Sequence, residues 1–200
     1  MGLRFSCQIG RRYTNNQSDA KRSDPAVLQA KVSSRLTFEM LENTIRNRSY
    51  GVLSTISREG RPHSAGVSYA VSDRTEPFGL YIVTDGRSKK ARNITRNPQV
   101  SFVIPVPRWF GFLPPSSIQF EATAAIIPLS DETSRMAFER SFITKRILSL
   151  QLAQKSEVST FIRVRPSSVM FTYGVGLSIF QLMKHVEGAA ARVEIPPGRI

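Results

Sequence analysis

Thr84-Asp85-Gly86-Arg87-Ser88-Lys89-Lys90-Ala91-Arg92-Asn93-Ile94, closed by Asn97-Pro98, decides how this chain is read. The apolar run Leu80-Tyr81-Ile82-Val83 before it reads as a strand. Ala91 and Ile94 share one face of the segment after it, and Pro98 stops that segment, so one or two helical turns follow. The first amides of such a helix lack intrahelical acceptors and carry the positive end of its dipole. Ser88 is a good N-cap, and Lys89 and Lys90 add full charges, which together make the parts of a phosphate site. A solvated basic helix between two strands reads equally well from this stretch alone.

Outward from it the pattern is of short strands and turns. Upstream, Thr37 caps a segment with Phe38, Leu41 and Ile45 at helical spacing, expected to pack across one end of a barrel. Residues 50–57 read as a strand, Arg58-Glu59-Gly60-Arg61 as a turn with Gly60 free to take positive φ, and residues 62–71 as the hairpin partner. The third strand is 78–84. Downstream, residues 99–104 form a fourth strand ended by Pro105. The Pro- and aromatic-rich 105–115 stretch cannot sit inside a sheet and is expected as a loop over a ligand or at a subunit interface. Residues 118–127 make a fifth strand, Ser130 caps a helix over 131–154 broken near Thr144, and 161–173 form a last strand interrupted at Pro166. A short helix over 177–186 and a tail complete the chain. The fold class is therefore mainly β (α+β), an antiparallel barrel of about six strands with peripheral helices. Residues 1–35 are a basic, disordered arm, 36–175 the domain, and 176–200 a C-terminal helix and tail.

The net charge is +13 over 200 residues, a field that favours anionic partners without choosing among them. One cysteine excludes an intrachain disulfide, and His63 and His185 have no ligand-like spacing, so no metal site is expected. No apolar run approaches the ~20 residues that span a bilayer, and a cytoplasmic setting without membrane attachment is expected. Basic residues are not interleaved with aromatics as in nucleic-acid binders, so nucleic acid is not the expected partner. No catalytic constellation is visible, and no catalytic residue is assigned.

The order of the pieces carries more than any one of them: Gly51-Val52-Leu53-Ser54-Thr55, Glu59-Gly60-Arg61-Pro62-His63-Ser64-Ala65, Tyr81-Ile82-Val83-Thr84, Ser88 to Ile94, and Asn97-Pro98-Gln99-Val100. This succession resembles the pyridoxamine 5'-phosphate oxidase-like family of flavin-binding split barrels, over residues 37–128 and more weakly to 173. The resemblance implies a flavin-dependent oxidoreductase with FMN at the interface of a homodimer and a small-molecule redox substrate. It implies that Thr84, Ser88, Lys89 and Lys90 grip the cofactor phosphate, that Val83 lies at the cofactor, that His63, Ser64, Ala65 and Gly66 run beside the flavin, and that Gln119 approaches it. Trp109 would reach a neighbouring subunit's site. One departure stands out: Ala65 occupies the place of an arginine that helps hold the phosphate in the vitamin-processing oxidases, so pyridoxamine phosphate oxidation itself is not expected. The same fold also serves a deazaflavin coenzyme, which is the alternative cofactor, and heme, for which His63 would be the candidate.

Overall fold

The computed structural model describes residues 36–107, 116–153, 158–177, 180 and 189–200. The expected arm, Trp109 with most of its loop, and most of the expected 177–186 helix lie outside the described residues.

Helix α1 (Phe38–Arg46) starts as its sequence dictates. The extended Thr37 turns its hydroxyl onto the Met40 amide at 3.3 Å, and Phe38, Leu41 and Ile45 are buried along one face. Strands β1 (Tyr50–Ile56) and β2 (Pro62–Ser68) form the hairpin, with Gly60 at φ 73° closing its turn. The expected second strand does not continue straight to Val71. It bends at Tyr69, and β3 (Ala70–Val71) pairs instead with β4 (Leu80–Asp85). Tyr69 pins the bend: it is fully buried, its hydroxyl donates to the Ile45 carbonyl at 3.0 Å, and its ring meets Phe102 edge-on.

Helix α2 (Lys89–Arg96) leads to β5 (Gln99–Val106), and β6 (Ser116–Pro128) pairs along the whole of it. β5 runs through Pro105 rather than stopping before it. Pro105 lies past the last residue paired with β1, where the strand has one neighbour and tolerates a missing donor. Asp131, not Ser130, caps α3 (Glu132–Glu139), accepting from the Ser134 amide at 2.8 Å. The helical stretch does break, and α4 (Phe142–Ala153) begins after it. The Thr144 hydroxyl donates back to the Phe138 carbonyl at 2.6 Å across the break.

The last expected strand is present as β7 (Ser159–Pro166) and β8 (Val169–Tyr173), both on the same edge of β6. Between them the register slips: Ala122 faces Pro166 but Gln119 faces Phe171. Ser167 fills the bulge, donating its amide and its hydroxyl to the Glu121 carbonyl at 2.8 and 3.0 Å. The expected tail is corrected. Residues Ala190–Glu194 form β9 on β8, with Ala191, Val193 and Ile195 buried at every second position. The six expected strands are thus all found, and β9 is a seventh.

The antiparallel sheet runs β2-β1-β5-β6-β7-β4-β3, and since β3 is the continuation of β2 it curls back on itself. Leu53, Phe102, Ile104, Ile118, Phe120, Leu80, Ile82 and Ile162 fill the interior. A second cluster lies outside, where Phe138 and Leu148 of α3 and α4 cover Tyr81 and Phe161. Those helices therefore blanket β4 and β7. Among the described residues nothing covers the outer face of β2, β1, β5, β6 and β8 in this way, and Tyr50 and Phe171 are about half exposed on it.

Candidate functional site

β4 delivers Thr84, whose side chain points into the barrel end and is buried, and the chain turns at once into α2. Asp85 shapes the turn by accepting the Arg87 amide at 2.7 Å. Ser88 caps α2 through the Ala91 amide at 3.3 Å, and its hydroxyl lies 3.5 Å from that of Thr84. No acidic residue stands in the first turn of α2. The amides of Lys89 and Lys90 occupy the positions that helix geometry leaves without an intrahelical acceptor. Lys89 is exposed, whereas Lys90 is half-buried. Burial pushes the Lys90 ammonium below its ordinary pKa, with Asp85 opposing the shift. An anion at this helix start would gain from the dipole, the amides, two hydroxyls and a partly desolvated cation at once.

What holds α2 in place is a buried polar link that the sequence did not single out. Asn93 is 2% exposed, and its Nδ2 donates to Thr55 Oγ1 at 2.9 Å; that hydroxyl donates in turn to the His63 carbonyl at 3.2 Å. The helix is therefore keyed to β1 and β2 rather than merely laid on them. The available signal was an asparagine on the same helix face as Ala91 and Ile94. Beside this link, Ser57, Arg58, Glu59, Lys89, Arg92 and Arg96 line a hollow of about 240 Å³.

The four consecutive residues expected beside a flavin divide between two faces, as strand alternation requires. His63 and Ala65 sit opposite Thr55 and Leu53, which are buried, so they share the interior face. His63 Nδ1 is itself buried and has no hydrogen-bond partner among the described residues. Ser64 and Gly66 belong to the uncovered outer face. There the register draws one row across five strands, Gly66–Val52–Val103–Gln119–Phe171. The Ser64 and Ser54 hydroxyls meet at 2.8 Å in the next row. So His63, Ala65 and Thr84 face the interior, with Ser88, Lys89 and Lys90 at the helix start that follows Thr84, while Ser64, Gly66 and Gln119 look outward. Val83 joins neither set: it packs against the cluster under α3 and α4. Among the described residues no three His, Cys, Asp or Glu side chains come together as a metal site.

A family model for pyridoxamine 5'-phosphate oxidase matches residues 38–173, which is most of the described barrel. The chain belongs to the pyridoxamine 5'-phosphate oxidase-like family of FMN-binding split barrels. It is 33% identical over 60 residues to a 5a,11a-dehydrotetracycline/5a,11a-dehydrooxytetracycline reductase of Streptomyces rimosus. That alignment takes in 30% of this chain and 42% of the reductase. Among solved structures, the heme storage protein HutZ of Vibrio cholerae superposes with a TM-score of 0.54 at 18% identity, over 68% of this chain and 94% of that one. An FAD-binding protein of Mesorhizobium loti gives 0.52 at 17% identity, over 68% and 92% of the two chains. At these identities both show that the split-barrel fold is shared. No helix among the described residues is long and apolar enough to cross a membrane.

Proposed function

We propose that this split barrel is an FMN-dependent oxidoreductase acting on a small-molecule substrate, with the cofactor phosphate held at the start of α2. The observation that carries the reading is the first turn of that helix: a serine cap, a buried threonine hydroxyl, a half-buried lysine and no acid. The residues fit a flavin phosphate, and the unpartnered His63 Nδ1 offers a further hydrogen-bonding atom on the adjoining strand. Bound there, the flavin would supply hydride or electron transfer, and the protein position, charge and exclusion of water. Thr84, Ser88, Lys89 and Lys90 would hold the phosphate, with Lys90 replacing part of what an arginine at position 65 would give. The uncovered outer face supports a homodimer, in which Ser64, Gly66 and Gln119 would meet the partner protomer and its cofactor edge.

The test is an FMN titration of the full chain followed by absorption and flavin fluorescence. Saturable uptake is expected, and Lys89→Ala with Lys90→Ala should weaken it while leaving the circular dichroism unchanged. A double variant that takes up FMN as well as wild type would remove the phosphate assignment. A deazaflavin coenzyme is the second reading, supported by the hollow beside α2, where Arg58, Lys89, Arg92 and Arg96 outnumber Glu59 and there is room for a longer anionic tail. The similarity to a reductase supports it too. Parallel titrations with both cofactors decide between them.

A further inference from the structure

A larger hollow, of about 360 Å³, lies at the other end of β2 and β4 from α2. Arg46 and Arg48 from the end of α1, Tyr69 at the strand bend, and Arg140, Ser141 and Thr144 from the α3–α4 break line it. Three guanidinium groups around one hollow normally mean that each has found a carboxylate. Two have. Arg46 reaches Glu42 at 2.6 Å and the Ser72 carbonyl at 2.7 Å, and Arg140 reaches Asp73 at 2.7 Å. Arg48 has not: its Nε is buried without a hydrogen-bond partner, and no carboxylate among the described residues pairs with its guanidinium. A buried N–H left unpaired costs about 1–3 kcal/mol, and more on a charged group.

The surroundings favour an external acceptor. The end of α1 would repel an anion through its dipole, but the Ile45 carbonyl there already takes the Arg48 amide and the Tyr69 hydroxyl, both at 3.0 Å. α4, by contrast, begins at this hollow, with no acid in its first turn. Nε together with one terminal nitrogen is the side-on fork by which arginine takes a carboxylate or phosphate.

We propose that this hollow is a second oxyanion site, distinct from the start of α2, in which Arg48 binds the carboxylate or phosphate group of a small molecule through its guanidinium group. The proposal does not depend on which cofactor the barrel carries. It is tested on the full chain by following the Arg48 Nε–Hε resonance while titrating succinate in one arm and inorganic phosphate in another. A saturable shift is expected in at least one arm, and the better ligand names the anion class. Arg48→Gln should weaken binding measured by calorimetry about tenfold, the worth of one charge-assisted hydrogen bond. Arg48→Lys, which keeps the charge but loses the fork, should fall between them. Lys89→Ala with Lys90→Ala should leave the shift in place. Absence of saturation with either anion would overturn the site and leave water as the Nε partner. So would calorimetric binding undiminished in Arg48→Gln, or an Arg48 shift that vanishes in Lys89→Ala with Lys90→Ala. The wild-type titration decides even if Arg48→Gln does not fold.

Discussion

Two ends of this barrel are crowded with cations, and they use them differently. Around Glu42, which is 3% exposed, Arg46 and Arg199 close to 2.6 and 2.8 Å and Arg74 to 3.6 Å. Arg199 also donates to the Arg74 carbonyl and lies over the Phe38 ring, while the Arg199 carbonyl takes the Phe78 amide at 2.6 Å. Here the chain supplies its own anion, and the cluster ties the C-terminus to α1 and to the loop before β4. At the start of α2 the balance is reversed. Lys89, Lys90, Arg92 and Arg96 make no ion pair among the described residues. Positive charge therefore identifies neither end as a binding site; whether the chain has already neutralised it does.

The largest effect should come from breaking the self-neutralised end. Glu42→Gln leaves Arg46 and Arg199, each 19% exposed, around an uncharged amide. Removing one partner of a buried pair costs about 3–5 kcal/mol, so urea unfolding should show a loss of about 3 kcal/mol. FMN uptake by the protein that remains folded should not change. A loss under about 1 kcal/mol would mean that the cluster is solvated in practice and that the contrast between the two ends is one of geometry only.

At the α2 end the expected losses are in affinity. Lys90 is partly desolvated and Lys89 is not, so the two lysines of the double variant should not share its effect equally. Lys90→Ala should weaken FMN binding about thirtyfold, the worth of a charge-assisted contact near 2 kcal/mol. Lys89→Ala should cost about two- to fivefold, as exposed pairs do. Isothermal titration of the two single variants reads the difference. Equal losses would place the phosphate outside the first turn, nearer the hollow that Lys89 shares with Arg92 and Arg96.

Much of this was legible locally. The six strands, the Thr37 and Ser88 caps, the positive φ of Gly60 and the interruption at Pro166 follow from spacing and turn chemistry over a few residues. What was not legible depends on partners distant in sequence. Nothing near Tyr69 says that β2 will pair with β1 and its continuation with β4. Nothing near Glu42 announces Arg199, 157 residues on. β9 was readable in principle, since Ala191, Val193 and Ile195 alternate with Arg192 and Glu194, but two small residues and the prolines after it weaken the pattern. At the site, family resemblance marked four successive β2 residues, whereas strand geometry allows only alternate ones to face the same way. The Asn93–Thr55–His63 link was missed because it joins three separate segments.

A third helix start supplies the internal control. α3 is built as α2 is, with a side-chain oxygen accepting the amide three residues on, but its cap is Asp131 and Glu132 follows it. The Asp131 carboxyl is held below the ordinary aspartate range, first by the Ser134 hydroxyl at 2.5 Å, then by the Ser134 amide and Arg163, with burial opposing. A depressed folded-state pKa adds stability above the unfolded value of about 3.9 and loses it as pH falls through the folded one. Asp131→Ala should therefore cost about 1 kcal/mol at neutral pH, and the gap from wild type should shrink as the solution is acidified below about pH 4. Ser88→Ala should cost about the same at neutral pH, since both are side-chain caps, but with no change over that acid range, because serine carries no charge there. Thermal melts of the two variants across pH 2–7 compare them directly. If both losses were independent of pH, the Asp131 charge would contribute nothing to α3. The absence of an acid at the start of α2 would then no longer mark that helix start as awaiting an anion.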